Sequence, residues 1–487
     1  TLSAKTFQAW ISKWDDGKNW VFLMQGSDST YTFPSVAEIK GMIAQSRSLE
    51  MEEKQVELQV MDGNTELVDF EIQGGRVVKE RKLKDLDAEE WVLNNGAKVY
   101  YKYTDFFIAT INNLVGSSIP LTQIVLPIGI SFYTFQQIAY LSDIYMGRHN
   151  PTGEGLINYG LFVTFFPQLV AGPIVHHKEM MPQFADGSNR SINWENMYKG
   201  LCFLSMGLAK KVLIADTLSP IIKYCFDDAS SLTFLEACFG SVSYALQLYF
   251  DFSGYTDMAI GCALFFNVHL PQNFNSPYKA VSIQEFWRRW HITLSRWLRD
   301  YLYIPLGGNK GRTSRILGNL FLTFLIGGIW HGAGWTFVLW GTIHGVTLVV
   351  HRVWSRLWNR SMPAVLGWAL TFSFVVLAWI PFRTTDFTRL GKFGDALLGY
   401  NGFILRQSFR ETVLKSVGFD FNKGFSVLSL SVLFLIIFVL FSNNSYKFIG
   451  NYSERKIDIL IYVIMFIMSV SMICIPEKQY EFLYFQF

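Results

Sequence analysis

Gly327-Gly328-Ile329-Trp330-His331-Gly332-Ala333-Gly334-Trp335 sets one imidazole between two tryptophans, with glycines on both sides, in one of the most apolar parts of a 487-residue chain. An ionisable side chain inside a membrane is costly and marks a functional site by default. The apolar run before it, 316–330, has about 15 residues, or roughly 22 Å at ~1.5 Å per residue, short for a hydrocarbon core of about 30 Å. That run starts at one basic cluster, Lys310, Arg312 and Arg315, and the run after it, 334–351, ends at another, Arg352 and Arg356. With both clusters on the cytoplasmic side, the two runs form a hairpin dipping into the membrane with His331 near its apex. Glycine-rich backbone at that depth is tolerated only where it is buried in protein or lines a wet cavity. His331 is therefore expected to face an internal tunnel, with Gly327, Gly328, Gly332 and Gly334 leaving room for backbone or substrate to approach.

Composition supports this setting. Half of the residues are hydrophobic and 17% are charged, with 43 Phe, 22 Tyr and 15 Trp, against about 25% charged in a soluble protein. Most of the chain is thus expected in lipid. A net charge of +3, dispersed along the chain, gives no argument for nucleic acid. Five cysteines lie singly in apolar runs, without disulfide or zinc spacing. Thr1 to Asp16 lacks a basic region followed by an apolar core, so insertion is expected to rely on internal segments. Residues 1–97 read as a separate soluble α+β segment of unassigned role, with alternating runs around Asp62-Gly63 and Gly74-Gly75. From 98 to 487 the chain reads as one membrane domain. Apolar runs at 121–146, 155–175, 197–225, 232–268, 316–330, 334–351, 365–381, 424–441 and 456–475 predict about eight to eleven spanning helices, with room for two in 232–268. These runs are continuous and do not alternate, which argues against a barrel. The fold class is mainly α: a polytopic helical bundle with re-entrant and interfacial helices around a central tunnel.

A second unusual segment is "VSIQEFWRRWHITLSRWLRDYLYIPLGGNKGR" at 281–312. Ser282 and Glu285 have capping-box spacing, and Trp287, Trp290, Leu294, Trp297, Leu298 and Tyr301 then recur at helical intervals, with Arg288, Ser295, Arg296 and Arg299 opposite. This predicts one amphipathic helix in the membrane interface, with His291 on its apolar side. Polar groups at membrane depth also come from "LQLYFDFSGYTDMAIG", with Asp251, Ser253, Tyr255 and Asp257, and from "LPQNFNSPYKA", with Asn273, Asn275 and Tyr278. Asp251 and Asp257 are expected to pair with arginines of 288–299. His176 and His177, after "FPQLVAGPIV", read as solvated loop residues. No phosphate loop, zinc motif or nucleophile elbow is found, which restricts enzyme readings to chemistry that histidine performs without metal or covalent serine.

In these residues the chain resembles the membrane-bound O-acyltransferase family, in its bacterial alginate O-acetylation branch. The matching stretches are "YYKYTDFF" at 100–107, "PIGISFYTFQQIAYLSDIY" at 127–145, "FFPQLVAGPI" at 165–174, "YFDFSGYTDMAIG" at 249–261, "NFNSPYKA" at 273–280, "FWRRWHITLSRWLRDYLYIPLGGN" at 286–309, "GGIWHGAGWTFVLWGTIHG" at 327–345 and "YFQF" at 484–487. The resemblance implies that His331 is the catalytic histidine and His291 the second active-site position. Asp251, Tyr255, Asn273, Asn275, Arg288, Arg289, Trp290, Arg299, Trp330 and Trp335 are the residues expected to bind substrate or line the tunnel.

The implied reaction moves an acetyl group from acetyl-CoA or another cytoplasmic thioester towards hydroxyls of an exported polysaccharide. Its partners would be membrane lipid, the donor, and the polysaccharide or an extracytoplasmic acyl-accepting protein, with no metal or bound cofactor. The implied location is the bacterial inner membrane, crossed many times. An imidazole with a pKa near 6.5 suits the chemistry, since it can take the alcohol's proton and return it to the leaving thiolate. Two other readings are D-alanyl transfer to teichoic acid and a proton-coupled transporter. No internal repeat of the kind expected in a transporter is found.

Overall fold

Long apolar segments satisfy their backbone groups internally by becoming helices, and helix is what most of the described chain forms. The computed structural model describes residues 77–83, 88–93, 97–122, 129–150, 156–358, 362–384, 386–417, 432–450 and 456–474. Two strands, β1 (Val77–Leu83) and β2 (Ala88–Leu93), pair in a two-stranded sheet in a unit of their own. The turns anticipated at Asp62-Gly63 and Gly74-Gly75 lie outside the described residues.

The helices that position the site are α1 (Ala97–Val115), α2 (Ile130–Tyr145), α3 (His177–Ala185), α4 (Trp194–Leu208), α5 (Phe234–Leu264), α6 (Ile283–Arg289), α7 (Ile292–Leu298), α8 (Thr313–His331), α9 (Trp335–Leu357) and α10 (Ala364–Arg383). The 232–268 run, which has room for two crossings, is instead one 31-residue helix, α5, opened by Thr233 and Glu236 in a reciprocal capping box. It is buried along most of its length and forms the spine against which α4 and α10 pack.

By length and composition two described helices can cross a membrane, α8 and α10, and the apolar helices Val432–Phe441 and Asp458–Ile473 are shorter. The sequence predicts eight to eleven crossings. Several of its apolar runs fold into shorter pieces, and α5 carries the carboxylates Asp251 and Asp257 in its interior.

Helix α8 is longer than the 316–330 run suggests. Its 19 residues measure about 28 Å at ~1.5 Å per residue, close to the thickness of a bilayer core. It turns over 332–334 into α9, so the hairpin forms and His331 is the last helical residue at its apex. At Gly328 the approach that the glycines allow is that of backbone. A Cβ on Gly328 would stand 2.6 Å from the Phe337 carbonyl oxygen and 2.7 Å from the Gly341 Cα, so this glycine brings two helix backbones together. A Cβ on Gly332 would collide with the Phe337 ring.

The 286–300 helix is also corrected. It breaks at Trp290-His291, where His291 has φ 44° and ψ 55°, the left-handed region, and becomes α6 and α7. The tryptophan face is as predicted, with Trp287, Trp290 and Trp297 all buried.

Candidate active site

The break at His291 is held by a closed hydrogen-bond network. Asn273 Oδ1 accepts from the Thr293 backbone N–H at 3.2 Å and from the Thr293 hydroxyl at 2.9 Å, and lies 3.0 Å from His291 Nδ1. The Thr293 hydroxyl in turn accepts from the Ile174 N–H at 3.0 Å, and Ile292 N–H donates to the Asn273 carbonyl at 2.9 Å. Three segments far apart in sequence, around 174, 273 and 291, thus close on one point. His291 is 1% exposed, its ring stands edge-on to Phe252, and its Nε2 has no hydrogen-bond partner among the described residues.

His331 sits in a cage of rings. Its imidazole packs at 4.8 Å from Trp330, 5.0 Å from Trp340 and 5.2 Å from Phe382, each near perpendicular, and it is half-buried. Trp330 is pinned behind it by stacking on Phe135 at 4.7 Å, and Phe135 stacks on Trp297 at 3.9 Å. Trp340 packs on Trp379 at 5.8 Å, and Trp379 on Trp290 at 5.0 Å. An unbroken run of aromatic contacts therefore leads from His331 to the residue next to His291.

A cavity of about 460 Å³ opens between α6–α7 and the α8–α9 hairpin. Arg288, Arg299, Arg352 and Arg356 line it together with His351, while Trp287, Leu294, Leu298 and Phe324 provide apolar wall. Neither His291 nor His331 lines this cavity. Between it and His331 stand Trp287 and Trp340, 5.8 Å apart. The cavity is a cationic mouth suited to phosphate or carboxylate groups.

The remaining predicted residues divide by role. Arg288 and Arg299 reach the cavity, although Arg299 also pairs with Asp300 at 2.7 Å. Arg289 is committed to Glu285 at 2.7 Å and to the Asn275 carbonyl at 3.1 Å. Asn275 accepts from Asn444 at 2.6 Å, and Trp290 is buried in the aromatic core. Tyr255 is part-buried between two apolar clusters, and Trp335, at the outer start of α9, is half exposed and packs on Phe106.

Asp251 and Asp257 do not pair with arginines. Their partners are Lys211 and Lys210, each at 2.6 Å. These lysines lie in a buried π-helical stretch, Ala209–Ala215, that continues α4 against α5. A cation drawn that deep must be matched by an anion, and the aspartates of α5 face it. His177 is likewise buried, at 1% exposure, 3.8 Å from Asp143 and 4.3 Å between ring centres from His149, and His176 meets the Tyr301 hydroxyl at 3.3 Å. Both had read as loop residues because a Gly-Pro before them signals chain reversal but says nothing of what covers the turn.

One buried histidine escaped sequence reasoning. His344 is fully buried, its Nδ1 accepts from Trp287 Nε1 at 3.3 Å, and it packs on Trp340 at 4.7 Å. The signal was its position four residues after Trp340, on the same face of α9. Among the described residues no group of three or more His, Cys, Asp or Glu side chains is placed to hold a metal ion.

The membrane-bound O-acyltransferase family profile matches residues 146–390, a stretch that contains both histidine motifs. The chain is 50% identical to a peptidoglycan O-acetyltransferase of Helicobacter pylori over 63% of this chain and 63% of that protein. It is 42% identical to the probable alginate O-acetylase AlgI of Pseudomonas aeruginosa over 63% of this chain and 59% of that protein. A teichoic acid D-alanyltransferase of Bacillus subtilis is 26% identical over 53% of this chain. The chain thus spans about three-fifths of the length of the first two relatives. Since the family profile covers half of the chain and encloses His291, His331 and the cationic cavity, this protein belongs to the membrane-bound O-acyltransferase family.

Proposed function

We propose that this protein is a membrane O-acetyltransferase that moves an acetyl group from a cytoplasmic thioester to hydroxyls of a cell-envelope glycan. Two relatives whose names specify O-acetylation of peptidoglycan and of alginate, at 50% and 42% identity, support this class over D-alanyl transfer, where identity falls to 26%. The higher of those identities favours peptidoglycan as the glycan, with an alginate-like exopolysaccharide second.

The observation that carries the reading is the joining of the two histidine motifs through one aromatic core, beside a cavity rimmed by four arginines. The donor enters at the arginines, which take its phosphates, and its thioester is directed inwards past Trp287. His331 accepts the proton of the attacking hydroxyl; the oxygen adds to the acetyl carbonyl; the carbon–sulfur bond breaks; and the proton leaves with the thiolate as thiol. The apolar walls keep water from taking the acetyl group. The family points to the bacterial inner membrane, and the charge pattern puts the arginine clusters on its cytoplasmic side.

The test is mass spectrometry of glycan from cells carrying intact or His331→Ala protein at equal abundance. Loss of O-acetyl groups is expected, and unchanged acetylation overturns the reading.

A further inference from the structure

We propose that Asn273 is a positioning residue that locks His291 into the tautomer with its proton on Nδ1, leaving Nε2 as a bare hydrogen-bond acceptor. His291 would thus serve the hydroxyl side of the reaction and not the oxyanion side.

The direction of each bond follows from what each group can do. The Thr293 backbone N–H can only donate, so the Asn273 atom facing it at 3.2 Å is the carbonyl oxygen Oδ1 and not the amide nitrogen. Ile174 N–H also can only donate, so Thr293 Oγ1 accepts there, and its single proton is spent on Asn273 Oδ1 at 2.9 Å. Oδ1 has no proton to give. The group 3.0 Å away, His291 Nδ1, must therefore be the donor. A neutral imidazole carries one proton, so Nε2 has a lone pair.

The surroundings keep the ring in this state. His291 is 1% exposed and Asn273 is 0% exposed, so water does not compete at Nδ1. Backbone in the left-handed region at φ 44° is sparsely populated for a non-glycine residue, and such strain persists where the surroundings over-determine it. Here the Ile292 N–H to Asn273 carbonyl bond holds it. Among the described residues the buried Nε2 has no hydrogen-bond partner, which for a buried polar atom calls for an explanation. A glycan hydroxyl neighbouring the one that gives its proton to His331 supplies one, as the donor the bare nitrogen needs.

His344 makes the opposite case. Trp287 Nε1–H can only donate, so His344 Nδ1 is the bare nitrogen, and its proton sits on Nε2. The same aromatic core therefore holds two buried histidines in opposed tautomers, each set by one neighbour.

Asn273, which also borders a small polar cavity with Asp257 and Ser445, is thereby given an orienting role. The tautomer assignment stands on geometry alone, and only its catalytic consequence rests on the acetyl-transfer reading.

The experiment is nitrogen NMR of full-length protein with labelled histidine in nanodiscs, with His291→Gln and His344→Gln locating the two signals. The intact protein should show His291 protonated at Nδ1 and His344 at Nε2. Asn273→Leu, which removes the acceptor, should abolish the Nδ1–H preference of His291, and Asn273→Asp, which keeps an oxygen there, should retain it. In parallel, Asn273→Leu should lower acetyl-transfer turnover about 10–100-fold, the scale of losing an orienting partner, with donor KM within about twofold, and Asn273→Asp should recover most of it. A His291 protonated at Nε2 in the intact protein, or unchanged in Asn273→Leu, overturns the proposal. Because the intact protein alone reports the tautomer, a variant that fails to fold leaves the test decisive. A wild-type protein with the expected tautomer but no acetyl transfer would instead sink the functional reading.

Discussion

His291 and His331 sit in different surroundings. At the α6–α7 break, hydrogen bonds from Ile174, Thr293 and Asn273 specify one ring nitrogen and leave nothing to rotate. At the hairpin apex, three aromatic rings hold the imidazole by shape, edge to face. Hydrogen bonds select a protonation state, because each donor needs an acceptor. Ring contacts select a position.

Replacing His331 with Ala should test that contrast most severely, with O-acetylation falling about 10²–10⁴-fold, the usual worth of a positioned acid–base group, read by glycan mass spectrometry at equal protein level. Gly328→Leu attacks the frame of the cage. Its side chain must displace backbone at 2.6–2.7 Å, so about 1–3 kcal/mol of stability should be lost, visible as a lower melting temperature and poor yield in detergent. Arg288→Ala with Arg352→Ala should raise donor KM about tenfold with kcat nearly unchanged, in steady-state kinetics, because both line the cavity and neither touches a histidine of the site. An effect confined to kcat would place the donor elsewhere.

The smallest effect is expected outside the site, where Arg296 grips Glu179 at 2.5 and 2.9 Å. Burial raises the Glu179 pKa, but the guanidinium outweighs it and holds the carboxyl below its ordinary value of 4.5. The pair's contribution is therefore present above that pH and lost as pH falls through the lowered value. Arg296→Ala should cost less than about 1 kcal/mol at neutral pH and nothing in strong acid, as measured by thermal melts across pH.

Much of this was legible one segment at a time. Aromatic spacing at Trp287, Trp290 and Trp297 reports its own burial, since helical periodicity is a local property. The hairpin could be read from the two basic clusters on either side of Gly327–Trp335. The break at His291 could not, because no glycine or proline marks it and the tryptophan spacing runs straight through, while the bonds that hold it come from Asn273, eighteen positions earlier. The aspartate partners were mistaken for a related reason. Charge complementarity says that Asp251 and Asp257 need cations, while which cation depends on α4 and its π-helical extension lying against α5.

The amino-acid order by itself determined the solvent, the helical class and the two histidines, because hydropathy, periodicity and an ionisable group among apolar neighbours are written residue by residue. Tertiary structure alone decided which proton His291 and His344 keep, which lysine meets which aspartate, and that four arginines, two from the end of α9 and two from a broken helix, share one cavity. Those outcomes depend on side chains separated by tens to more than a hundred positions meeting at hydrogen-bond distance, and that meeting is set by how helices pack, not by what any one of them contains.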